Sequence, residues 1–521
     1  MPTCCTRGFR LGLVLLLLRL APLTAQAAAY EQLQTFSSLL NQVRQNYVDS
    51  VVYSDLVTAA IEGVLSSLDP HSRFEREADA EREMAYMTGH LAGAGVSFDQ
   101  VDDQLVVLAV MARGPAARAG MTPGDRVLSI NDTSVAGLTS DEVSRQVMGD
   151  KGRKIRLVLG RGSRLEPDTI RVGLKLDFLP ARSVGTTRMI DPTTGYIHLD
   201  EFQMKGGDEV AKSVKQLQSK GARQLVLDLR SNPGGAVSAA IEIAALFLPA
   251  QAVIYRTVAR RERLNEEVRS QKEGPFVNLP LMLLIDEGSA SSSEIVTGAL
   301  QDHDRALVLG RRSFGKALIQ QRFPVPPAGD VVWLTIARVQ TPSGRIIQRS
   351  YRGLKAGQYY SFAGKTGTES DTAKIYHTDR GRDVRGGGGL EPDIELPRSA
   401  KLPPWFSVAA DSGWIEAVAD SVAPLLPKDD KARQAWGSAT ADWQARLVTP
   451  FLERATTRLK ISSAPSPELL GRLGRILAYR MAEVRWGPDA AEEFWLRNDP
   501  DVLAAMQYWP KLEELLSSKS R

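Results

Sequence analysis

The spacing of apolar residues changes along the chain, and each change predicts a different kind of element. Between residues 30 and 80 they recur three or four apart (Leu33, Phe36, Leu39, Leu40, Val43, then Leu56, Ala60, Ile61, Val64, Leu65), the spacing of one helix face. Pro70 in Leu68-Asp-Pro-His-Ser72 stops that pattern, so residues 28–84 read as a helical platform. Residues 85–175 replace it with short runs, Gln104–Val110, Arg126–Ile130 and Lys154–Leu159, set between Gly/Pro turns, and one helix over Ser140–Met148. This predicts a small β-rich unit. Within residues 176–348, Gly195–Leu199, Gln224–Leu229, Leu281–Ile285 and Ala306–Leu309 read as strands, and Asp208–Gln218, Ala236–Leu248 and Ser291–Leu300 as helices. Such alternation predicts an α/β layer with a mainly parallel sheet, whose sites gather beyond the carboxyl ends of strands. Residues 349–389 are rich in Gly, Arg and polar side chains and read as a long mobile insertion, with 390–400 returning to the core. The last segment, 401–521, reads as a separate helical domain carrying seven of the eight tryptophans and the amphipathic helix Leu469–Trp486.

Composition narrows this picture. With 521 residues, 43% hydrophobic and 24% charged, the chain suits several globular domains. Arg7 and Arg10, the run Leu11–Leu18 and then Ala25-Gln-Ala27 read as a cleaved signal peptide over residues 1–27. An eight-residue apolar run is too short to span a bilayer, so the expected mature chain is exported, to the periplasm or another extracytoplasmic space, with no membrane span. Its loss removes three arginines and lowers the formal charge from +4 to +1, which weakens any case for nucleic acid as a partner. Cys4 and Cys5 lie in that segment, so zinc-thiolate chemistry is excluded from the mature chain. The five histidines show no metal-ligand spacing; neither metal nor cofactor is expected.

The chemistry concentrates between residues 281 and 320. An apolar strand, Leu281–Ile285, runs into Asp-Glu-Gly-Ser-Ala-Ser291, and Lys316 follows 25 positions later. A serine opening a helix beyond a strand end stands near the positive end of the helix dipole, and a neutral lysine can act as its base. Ser291-x-x-Glu294 is also a capping box, and the two readings coexist, because a nucleophile on such a turn sits at the N-cap. Three other motifs resemble known sites. Gly310–Ala317 lacks the hydroxyl that a P-loop uses for magnesium. Ser313-Phe-Gly-Lys316 with Lys365-Thr-Gly367 echoes the boxes of penicillin-interacting acyl-serine enzymes but needs a helix where Gly315 predicts a turn. Asp302-His303 is too close in sequence to form the arms of a triad with Ser291, and His303 reads as a surface residue beyond a helix end. Gly93-Ala94-Gly95-Val96 can form an anion-accepting nest of backbone N–H groups.

Taken together, Leu68–Ser72, Leu227-Asp-Leu-Arg-Ser-Asn-Pro-Gly-Gly235, Glu287–Ile295, Ala299–Asp302, Ser313–Lys316, Thr341–Arg345 and Gly388–Ile394 resemble, in order and spacing, the carboxyl-terminal processing (tail-specific) peptidases. The resemblance covers roughly residues 30–348 plus 388–394. It implies a serine endopeptidase core over 176–348 and a PDZ domain over 85–175, an α+β multidomain chain with helical regions at both ends. Ser291 matches the nucleophile, Lys316 the general base and Gln320 the side chain that orients the base. Gly234 and the backbone N–H of Ser292 match the oxyanion hole, and Asp302 matches a supporting acid. The resemblance further implies polypeptide substrates with free apolar C-termini, whose carboxylate the Gly93–Val96 nest would hold. Adaptor or homo-oligomer partners remain open. A non-catalytic PDZ scaffold on a decayed peptidase body is the competing reading. Retention of Ser291, Lys316, Gln320 and Asn232-Pro-Gly-Gly235 together argues against it.

Overall fold

The computed structural model describes residues 30–517 except 102–103, 112–113, 123, 162–167, 180–181, 328, 355, 361–373 and 462–463. The signal-peptide reading at 1–27, with both cysteines, and the Lys365-Thr-Gly367 box lie outside the described residues. The fold is mixed α+β, with helices toward both ends.

The β-rich unit is an antiparallel sheet of Val96–Val101, Gln104–Val110, Arg126–Ile130, Lys154–Arg161 and Asp168–Lys175, with a short edge at Thr133–Ser134. Ile155, Leu157 and Leu159 turn inward at alternate positions and are buried, as the two-residue period of a strand requires. The helix Ser140–Gln146 starts at a reciprocal capping box between Thr139 and Glu142. Its Val143 enters the same core.

The core holds two sheets where the sequence predicts one mainly parallel layer. The first runs in the order Val184–Met189, Thr194–Leu199, Gln224–Asp228, Leu281–Ile285, Leu307–Gly310, Ile394–Glu395. Its first pair is antiparallel and the other four are parallel. The second is antiparallel, built around Asp330–Gln340, which pairs with Leu318–Val325, Val253–Ala259 and Arg73–Glu75. The N-terminal region is therefore more than a helical platform: it lends a strand to the core and carries the Asp69–Ser72 turn in with it.

Both faces of the parallel strands are buried. Leu225, Leu227, Leu281, Leu283 and Ile285 pack against the helices Gly206–Ser219, Val237–Ala245 and Ser292–Asp302. The alternate residues Val226, Met282 and Leu284 face the other way, onto Leu496, Val502, Ala505, Leu512 and Leu515. Each fully buried aliphatic side chain contributes about 1.5–3 kcal/mol. Residues 401–521 are thus not one independent body. Their larger part encloses its own core around Trp436, Trp443, Phe451, Leu477 and Met481, whereas the helices Pro500–Ala505 and Trp509–Ser517 close the second face of the parallel sheet.

The segment expected to be a mobile insertion carries ordered elements on both flanks. These are a helix, Ala356–Tyr360, and a hairpin of Ile375–His377 with Asp383–Arg385. Arg382 anchors the hairpin through Asp304 and Asp393, at 2.5 and 2.6 Å, an attachment that composition does not reveal. Among the described residues, no helix is long and apolar enough to cross a membrane, and no group of side chains could hold a metal ion.

Candidate active site

Ser291 stands between the end of strand Leu281–Ile285 and the wholly buried helix Ser292–Asp302. Its backbone is in the left-handed half of conformational space, with φ 56° and ψ −111°, a strain of roughly 1–3 kcal/mol for a residue with a Cβ. Hydrogen bonds from outside the turn impose that shape. Ser289 Oγ donates to the Leu229 carbonyl at 2.7 Å, and Ala290 N–H donates to the Asn232 carbonyl at 3.0 Å. The Asp286 carboxylate accepts from Ser231 N–H at 2.7 Å and Gly288 N–H at 2.9 Å. The serine turn and the Asn232-Pro-Gly-Gly235 turn are therefore a single stitched unit.

Gly234 closes against that unit. Its φ is 105°, and a Cβ there would stand 2.8 Å from both Ser291 Cβ and the Ala290 carbonyl, so only glycine fits without a shift. Its N–H donates to Asn232 Oδ1 at 2.9 Å. Ser292 is the first residue of its helix, a position whose N–H has no intrahelical acceptor.

Glu294 joins this unit to Lys316. Its carboxylate is buried and accepts from Ser291 N–H at 2.9 Å, Ser313 Oγ at 2.5 Å, Gly315 N–H at 2.7 Å and Lys316 N–H at 2.8 Å. Burial raises its pKa and the hydrogen bonds oppose that. With four donors facing it, the acceptor-only ionised form is the one that fits. The sequence shows Glu294 only as half of a capping box; its second attachment, to the lysine loop, depends on tertiary structure.

Ser291 and Lys316 line one small cavity, together with Glu294 and a mostly apolar wall that includes Ile254, Ile295, Val339 and Ile347. Burial lowers the pKa of Lys316 and the charge of Arg73 lowers it further, against the opposing pull of Glu294, Asp69 and Glu83. The Leu68–Ser72 turn lies close enough to Lys316 for Asp69 and His71 to feel its charge. Asp69 accepts from the His71 and Ser72 backbones, each at 2.8 Å, and from Ser72 Oγ at 2.7 Å. Burial, together with the Lys316 and Arg73 charges, brings the His71 imidazole down to about 4 against the pull of Asp69. Gln320 donates to the His71 carbonyl at 2.5 Å, so its amide binds that turn. His71 in turn meets Tyr359 at 2.9 Å and Tyr360 at 3.1 Å.

Other residues singled out in the sequence lie elsewhere. Asp302 is at the far end of the 11-residue helix from Ser291, about 15 Å along the axis. There it is buried against Arg345 at 2.6 Å and accepts from Ser343 N–H at 2.9 Å. His303 is not a free surface residue: it hydrogen-bonds Asp379 at 2.6 Å and the Val253 carbonyl at 2.7 Å. Lys316 leads into a strand rather than a helix, which removes the setting a Ser-x-x-Lys box or a P-loop requires. In the β-rich unit, Gly93 pairs with Asp177 and Val96 with Val110. Ala94 N–H donates to the Val147 carbonyl at 2.9 Å, so the expected nest is not a row of free donors. Gly95, at φ 71°, packs against Met111 and Leu179.

Two regions of the chain match known families. Residues 193–356 match Peptidase family S41, and residues 106–161 match the PDZ domain. A carboxyl-terminal-processing protease of Synechocystis sp. is 32% identical over 312 residues, 59% of this chain and 72% of that protein. A carboxy-terminal-processing protease of Bartonella bacilliformis is 34% identical over 326 residues, 61% of this chain and 73% of that one. Among solved structures, a photosystem II D1 C-terminal processing protease aligns over 69% of this chain and 92% of its own, at 23% identity and a TM-score of 0.38.

Proposed function

We propose, from the premise that this chain belongs to the carboxyl-terminal-processing serine proteases of Peptidase family S41 and carries a PDZ domain, that Ser291 and Lys316 form its catalytic dyad. The observation that carries this reading is their meeting in one cavity under conditions that lower the lysine pKa. An exposed lysine, titrating near ~10.4, would hold under ~0.1% free base at neutral pH; burial enlarges that fraction. The neutral amine takes the Ser291 proton as Oγ attacks the substrate carbonyl. Electrons pass to the carbonyl oxygen, and the tetrahedral oxyanion forms beside Ser292 N–H and the Gly234 turn. Collapse expels the amine half of the peptide with the proton from Lys316. Water, deprotonated by the same amine, then releases the acyl group. Each well-aimed oxyanion donor is worth about 3–4 kcal/mol. The Gly234 N–H must leave Asn232 Oδ1 to serve as one. Gln320 acts on the base at one remove, by fixing the His71 turn whose imidazole feels the Lys316 charge.

Substrate choice falls to the PDZ domain, which adds the tail of an exported protein as a strand beside Val96–Val101 and holds its terminal carboxylate near Gly93–Val96. Because Ala94 N–H is taken by Val147, tail entry opens that bond. The dyad is tested by cleavage of an unfolded, apolar-tailed protein by wild type, Ser291→Ala and Lys316→Ala. Loss of activity in both supports it, and persistence in Lys316→Ala points to another base.

A further inference from the structure

Arg230 precedes the Ser231–Gly235 turn, and Arg311 opens the loop that ends at Lys316. Arg230 reaches both Asp499 and Asp501 at the C-terminal helices, and Arg311 reaches Asp501. Arg230 forks onto Asp499 at 3.1 and 2.9 Å and meets Asp501 at 2.9 Å, while Asp228 holds its other edge at 3.0 Å. Arg311 forks onto Asp501 at 3.1 and 2.5 Å. Asp499 is fixed as the N-cap of Pro500–Ala505, accepting from Asp501 N–H at 2.9 Å and Val502 N–H at 3.1 Å. The four side chains are only 8–15% exposed. This is therefore a desolvated network of bidentate pairs rather than a surface contact.

We propose that Asp501, supported by Asp499, is a positioning residue for proteolysis, through which the C-terminal helices set the spacing between the oxyanion turn and the lysine loop. This rests on the Ser291/Lys316 reading. No other carboxylate joins these two arginines at hydrogen-bond distance among the described residues. Glu294 and Phe314, whose N–H donates to the Ser289 carbonyl at 2.9 Å, link the far end of the lysine loop to the serine turn instead. The sheet already pairs the strands that lead to both arginines, and Arg311 N–H donates to the Ile285 carbonyl at 2.9 Å; Asp501 adds a side-chain link from outside the peptidase core.

The test uses the full chain with Asp501→Asn, Asp501→Glu, Arg311→Gln and the double variant Asp501→Asn/Arg311→Gln. Active serines are titrated with a fluorophosphonate, so that kcat is expressed per reactive site and misfolded protein drops out. Asp501→Asn is expected to lower kcat per site by ~10- to 100-fold, as for loss of one buried charged pair, with KM within about twofold. Asp501→Glu should recover part of the loss, and the double variant should be no worse than the poorer single one. A wild-type kcat per site in Asp501→Asn overturns the proposal, as do losses that multiply in the double variant. The two readings fail separately. If Ser291→Ala is inactive while Asp501→Asn is normal, only the positioning role falls. Activity in Ser291→Ala removes the dyad itself.

Discussion

Glu294 ties the serine and the lysine together from a single carboxylate, because it holds one backbone N–H of the serine and two of the lysine loop. Glu294→Gln keeps the shape but turns an NH2 group toward N–H donors. With ~1.5–3 kcal/mol per charged hydrogen bond at stake, kcat should fall by ~10²-fold or more, measurable in steady-state cleavage of an apolar-tailed protein. In the proposed dyad Lys316 sets the pH dependence. Its folded pKa lies below the ordinary 10.5 because burial and Arg73 disfavour the charge, so with the free base as the working form activity should rise with pH and level off below 10.5. The unfolded chain binds that proton more tightly, so lysine burial lowers stability at every pH under 10.5, and progressively more as pH falls toward the folded pKa. Lys316→Met should therefore be inactive yet melt higher than wild type. A flat pH profile, or a lower melting temperature in Lys316→Met, would contradict the assignment. At this scale the sequence was legible where chemistry is local, as at Ser291. It named the Leu68–Ser72 turn as a motif but gave it no role, because its approach to Lys316 depends on a strand pairing between Arg73–Glu75 and Asp330–Gln340.

Strand, turn and helix from 281 to 302 could be read in advance because an apolar run, a Gly-containing turn and a capping pattern all agree. The antiparallel sheet was missed although Val331–Leu334 is an apolar run, because the pairing of Asp330–Gln340 with a strand as distant as Arg73–Glu75 is not local information. The hairpin at 375–385 was hidden by glycine-rich flanks that look like linker. In the PDZ domain, the glycines at 93 and 95 suggested a free nest, whereas Ala94 N–H is satisfied by Val147 at the end of the neighbouring helix. A tail that opens this bond must repay it with its own carboxylate. Capping the substrate's C-terminus as an amide should then raise KM by ~10-fold or more, about 1.4 kcal/mol. Equal cleavage of amidated and free tails would refute PDZ capture.

Taken whole, the molecule is closed by its last helices. Val226, Met282 and Leu284 read in sequence as generic buried-strand residues, and nothing local said that Val502, Leu512 and Leu515 would cover them. Tryptophan content drew attention to the other, self-contained part of the same segment. Deleting residues 499–521 should leave the sheet with an exposed apolar face. The truncated chain should then aggregate or bind a hydrophobic dye, and titrate few reactive serines with a fluorophosphonate. A soluble truncation with a full complement of reactive serines would show that the last helices are dispensable.

One consequence concerns the order in which a ribosome delivers these parts. Ser291, Glu294 and Lys316 are made well before Asp499 and Asp501, and a chain folds from its leading end. The second face of the parallel sheet, at Val226, Met282 and Leu284, therefore stays uncovered until the helices bearing Val502, Leu512 and Leu515 have been made.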